Sequence, residues 1–71
     1  VPDVIRSTLR QTKPTLQALG FTIGDLIYED DLGKDEVLEM RYKGKRIVPG
    51  QMLKKTSAID LVLGNGTPKL N

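Results

Sequence analysis

The chain has 71 residues, enough for one small domain that buries only about 60% of its unfolded surface and leaves little space for a deep substrate pocket. Hydrophobic residues make up 38% and charged residues 28%, too apolar a balance for a disordered chain, and a net charge of +2 is too small by itself to imply nucleic acid. There is no cysteine and no histidine, which excludes a disulfide framework, a thiolate zinc site, a cysteine nucleophile and histidine acid–base chemistry.

Residues 1–7 are expected to be extended, because Pro2 keeps Val1 out of the helical region and donates no amide. Thr8 and Gln11 then have the spacing of a capping box, in which a hydroxyl meets the third helical amide and an amide side chain reaches back. Leu9, Leu16 and Leu19 fall on one helical stripe, and Gly20 stands where a left-handed helix stop belongs. These signals place a helix over residues 9–19. Pro14 lies in its middle and predicts a kink or a loosened first turn, with a shorter helix from Lys13 as the competing reading.

After Gly20 the pattern turns to β-branched and aromatic residues. "FTIGDLIYED" reads as a strand, with Gly24 marking a bulge or bend and Tyr28 packing at the sheet edge of the core. "EDDLGKDE" reads as a polar turn; Leu32 and Lys34 break the ligand spacing of a calcium loop. "EVLEMRY" is a second strand, and "KGKRIVPGQMLKKTS" reads as turns and a loop. "AIDLVLG" is a half-buried strand that turns Ile59, Leu61 and Leu63 inward. The predicted fold is therefore α+β: one helix packed on a three-stranded sheet, preceded by a short extended N-terminal segment. The domain is drawn over residues 1–66, with 67–71 as a linker or tail.

The ordered motifs resemble the PASTA domain, a repeat of penicillin-binding proteins and bacterial serine/threonine kinases. Val1, Pro2, Asp3 and Val4 match its opening V-P-[DN]-V. Thr8, Leu9, Leu16, Gly20 and Phe21 match its helix and stop, and Ile23 and Gly24 match the "V-G" of its next strand. Pro49, Gly50, Leu53, Ser57, Ile59, Leu61 and Leu63 match its ending. Arg6 stands where the family often has glycine, Thr56 stands for the glycine before Ser57, and Met40 for a common glutamine.

The resemblance implies a noncatalytic extracytoplasmic module, binding or spacer, of a membrane-anchored envelope protein. The parent protein is a kinase, a transpeptidase or neither. The implied partners are peptidoglycan fragments or β-lactams, bound weakly, and neighbouring PASTA repeats of the same chain. No nucleic acid, cofactor, metal or catalytic residue is expected, and no direct membrane insertion by this stretch, since no apolar run approaches the ~20 residues of a membrane span. A purely structural or protein–protein repeat is the alternative, and a cytoplasmic nucleic-acid-binding domain built on "RYKGKR" the remote one. If a muropeptide is bound, Arg6 and Arg41 with Tyr42 are the expected contacts, because guanidinium groups grip carboxylates bidentately.

The charges are segregated along the chain. Acids fill positions 25 to 39 with only Lys34 among them, and Arg41, Lys43, Lys45, Arg46, Lys54 and Lys55 follow without an acid. One reading pairs these charges across the hairpin as weak surface ion pairs. The other gives the basic hairpin an acidic partner outside the domain.

Overall fold

The structure, a computed structural model, describes residues 1–68. Helix α1 (Leu9–Ala18) is followed by strands β1 (Thr22–Lys34), β2 (Val37–Tyr42), β3 (Lys45–Ile47) and β4 (Ala58–Gly64). The sheet runs β1-β4-β2-β3, so the last strand of the chain lies inside it. β4 is parallel to β1 and antiparallel to β2, and β2 and β3 form an antiparallel hairpin.

The capping box starts the helix as its sequence demands. Thr8 Oγ1 accepts from the Gln11 amide at 3.2 Å, and Gln11 Oε1 accepts from the Thr8 amide at 3.2 Å. The helix therefore begins at Leu9 rather than Lys13, and Pro14 is carried inside it on the solvent side. A proline at this position removes the amide that would reach the Arg10 carbonyl. Leu16 and Thr12 face inward and are fully buried. Leu19 departs from the expected stripe: it is the C-cap, 48% exposed, because the backbone leaves the helix there.

The inner face of the sheet is set by two-residue alternation on β4. Ile59, Leu61 and Leu63 are fully buried and join Leu16, Val37, Met40, Ile47, Val4 and Phe21 in one core. Val62 points to the opposite face, between Ile27 and Glu39 in register, and is buried there too, as a central strand requires. Gly24 does mark a bulge: the β1–β4 register shifts between Ile23 and Leu26, and Asp60 Oδ1 accepts from the Asp25 amide at 2.8 Å.

Four readings from the sequence are corrected. The sheet has four strands, because Lys45–Ile47 of the expected loop pairs with β2 and buries Ile47. The polar stretch after Tyr28 does not turn until Asp35. It stays extended because residues beyond β4 supply its hydrogen bonds: the Asn65 amide donates to the Glu29 carbonyl at 3.0 Å and the Gly66 amide to that of Asp31 at 2.9 Å. The extended N-terminal run breaks at Arg6, where φ is 68° and the chain turns to lie against β2. There the Arg6 amide donates to the Val37 carbonyl, and the Val37 amide donates to that of Ser7, both at 2.8 Å. Tyr28 shares the inner face with Leu63 but is half exposed, held by its hydroxyl donating to Asp35 Oδ1 at 3.1 Å. Of the expected linker 67–71, residues 69–71 lie outside the described residues.

Candidate functional site

Arg6, Arg41 and Tyr42 are not brought together. The Arg6 backbone bonds to Val37 at the start of β2, and Arg41 lies four residues along that strand, about 13 Å away at the usual rise. Arg41 and Tyr42 are consecutive on β2 and so project from opposite faces. Tyr42 borders the core, while Arg41 sits beside Asp60 of β4 on the outer face.

Both guanidinium groups already hold carboxylates. Arg6 Nη1 lies 3.0 Å from Asp31 Oδ1 and 3.6 Å from Glu36 Oε1. Hydrogen bonding and charge from Asp31 raise the Arg6 pKa further. The Asp31 carboxyl is held below its ordinary range, first by the Gly33 amide donating to it at 2.8 Å and then by Arg6. Arg41 pairs with Glu39, and that carboxylate raises its pKa, with smaller help from Glu29 and Asp60. Glu39 also faces Arg46 across the hairpin at 3.8 Å. Pairing across the hairpin thus accounts only for Glu39 with Arg46; Arg41 pairs with Glu39 along β2 itself, and no acid on β1 is paired across the hairpin.

Two open concavities remain on the surface; Lys43, Lys54 and Lys55 of the first belong to the basic run noted in the sequence, whereas Arg10 and Lys13 of the second are not singled out there. The first, about 470 Å³, is bordered by Tyr42, Lys43, Lys54, Lys55 and Ser57, with Asp60 as its one acid. Lys43 Nζ stands 5.3 Å from the centre of the Tyr42 ring. None of these three lysines forms an ion pair among the described residues. Ser57 Oγ donates to the Lys54 carbonyl at 2.6 Å, which ties the hydroxyl to loop structure. The second, about 810 Å³, is lined by the apolar Leu9 and Pro14, by Arg10, Lys13 and Lys34, and by Thr8 and the acid Asp35. The sequence signal for the first is the acid-free basic run that ends in Lys54–Lys55, and for the second the three-residue spacing of Arg10 and Lys13 on α1.

Neither concavity holds an acid–base or nucleophilic constellation, and among the described residues no group of three acidic, histidine or cysteine side chains is placed to hold a metal. No helix among them is long and apolar enough to cross a membrane. What the fold and surface define is a small α+β module with open depressions in which cations outnumber acids. The family model of the PASTA domain matches residues 1–65, and the chain belongs to that family, one of noncatalytic, cell-wall-related binding domains. Comparison with curated proteins and with solved structures returns no match.

Two departures from the family pattern acquire a physical meaning here. Arg6 and Thr56 occupy places where the family tends to have glycine, and both have positive φ, 68° and 72°. This backbone region is open to glycine and strained for a branched side chain such as threonine.

Proposed function

We propose that this chain is a noncatalytic binding or spacer module in the extracytoplasmic part of a membrane-anchored envelope protein, one repeat unit over residues 1–66 joined onward through 67–71. In this reading, carboxylate-bearing peptidoglycan fragments are bound weakly in the concavity beside Tyr42. The observation that carries the binding reading is three lysines, none in an ion pair among the described residues, that line one open depression with Tyr42, Lys43 standing over its ring, against the single acid Asp60. Ammonium groups attract stem-peptide carboxylates, and the ring face covers an apolar sugar or side-chain surface. Arg6 and Arg41 lie outside that concavity, so each meets a ligand only as a separate contact, by exchanging Asp31 or Glu39 for its carboxylate.

Titrating the purified domain with a muropeptide while following backbone amide shifts tests this. Shifts at Tyr42, Lys43 and Lys54–Ser57 are expected, weakened by Lys54→Ala with Lys55→Ala. Arg6→Ala and Arg41→Ala report whether either guanidinium takes part. No shift at ligand concentrations on the order of 1 mM would refute binding. The alternative, a purely protein–protein repeat, is favoured by the uncancelled charge at the two edges of the sheet.

A further inference from the structure

The strand order separates the acidic and basic runs of the sequence to opposite edges of one sheet. β1 is an edge strand and carries Asp25, Glu29, Asp30 and Asp31 against Lys34. Asp31 is engaged by Arg6; Asp25, Glu29 and Asp30 form no ion pair among the described residues, although Asp30 Oδ1 accepts from Asn65 Nδ2 at 2.8 Å and Glu29 lies near Arg41. β3 is the other edge, and with its turn it carries Lys43, Lys45 and Arg46. Lys43 and Lys45 are unpaired among the described residues, and Arg46 is 72% exposed and only loosely placed beside Glu39.

These charges are too far apart to neutralise one another within the domain. Three strand spacings separate β1 from β3, about 14 Å, and the screening length at physiological salt is about 8 Å. Each edge also presents backbone amides and carbonyls without a strand partner. An exposed apolar side chain stands at each, Leu32 on β1 and Val48 just after β3.

We propose that the two edges bind each other between copies of this chain, the β3 hairpin of one docking on β1 of the next. Like edges repel, so a two-fold dimer through β1 or through β3 is disfavoured. The contact is head to tail, and every added copy leaves one acidic and one basic edge free. Because β3 offers only three residues, the interface is small and the association weak, on the order of 1 mM.

The test is a concentration series on the 71-residue chain, read by amide shifts and sedimentation. At about 0.01 M ionic strength, shifts confined to residues 25–32 and 43–48 are expected, with an average mass rising above 7.9 kDa. At about 1 M salt both effects should vanish. Lys43→Glu with Lys45→Glu abolishes association, as does Asp25→Lys with Asp30→Lys. All four changes in one chain restore it, and mixing the two reversed chains gives a tighter mixed complex. Association that survives either reversal, shifts elsewhere on the surface, or a monomer throughout the low-salt series overturns the proposal. Should a reversed chain fail to fold, the salt series on the parent chain decides.

Discussion

Gly64 is the position where a single methyl group should cost most. A Cβ built there lies 2.2 Å from the Gly33 carbonyl oxygen, 3.0 Å from the Gly33 carbonyl carbon and 3.2 Å from Asp31 Cβ. Ordinary carbon–oxygen contacts begin near about 3.3 Å, so the overlap is about 1 Å and falls on backbone that no rotamer change can clear. The end of β1 must move away from β4. That movement threatens three bonds: the Asp35 amide donating to the Gly64 carbonyl at 2.8 Å, and the Asn65 and Gly66 amides donating to β1. At about 1 kcal/mol per lost bond, Gly64→Ala should cost about 3 kcal/mol. A chain of this size is stable by roughly 4 to 10 kcal/mol in all. Thermal unfolding followed by circular dichroism should therefore show a drop of about 12 to 24 °C. Gly24→Ala is the control. Its Cβ would lie 2.1 Å from Asp60 Oδ1, a side-chain atom that can swing aside at the expense of its bond to Asp25, for about 1 to 2 kcal/mol. A Gly64→Ala midpoint within about 4 °C of the parent, or a larger loss from Gly24→Ala, would refute the close approach of the two strands.

Thr12 is fully buried and its hydroxyl finds no hydrogen-bond partner among the described residues, so Thr12→Val should raise the urea midpoint by a gain of about 1 kcal/mol; an unchanged or lower midpoint means the hydroxyl is bonded. Thr56→Gly removes left-handed strain at an exposed residue and adds some chain entropy to the unfolded state, for a net gain of about 0.5 to 1 kcal/mol in the same assay. The Asp31 carboxyl is depressed in the folded chain, so its stabilisation is complete above the ordinary carboxylate range and is lost as pH falls through its lowered value. Urea midpoints measured down that acid limb should fall less steeply for Asp31→Asn than for the parent.

The parts of the fold readable in sequence were those fixed by neighbours a few residues apart. The Thr8–Gln11 box needs only one turn of chain, the Gly24 bulge announces itself by a missing side chain, and Ile59, Leu61 and Leu63 alternate cleanly. What escaped depends on distant partners. β3 is three residues long with two cations, so only Ile47 hints at burial, and its strand character comes from β2. The acidic end of β1 has the composition of a turn and is extended because Asn65 and Gly66 bond to it. The candidate site suffered for the same reason. Tyr42 and Lys43 meet Lys54 and Lys55 only once the loop between β3 and β4 closes, and no spacing in the sequence encodes that closure.

The position of β4 also constrains when this domain can exist. β1 and β2 never touch as ladder partners; each is joined to the strand that comes last. A ribosome or a translocation pore delivering the chain from its first residue therefore releases a β1 with no ladder partner and a β2 paired only with the three-residue β3 and the N-terminal run. Folding waits for the arrival of Ala58–Gly64, and until then the growing polypeptide remains loose enough to be threaded.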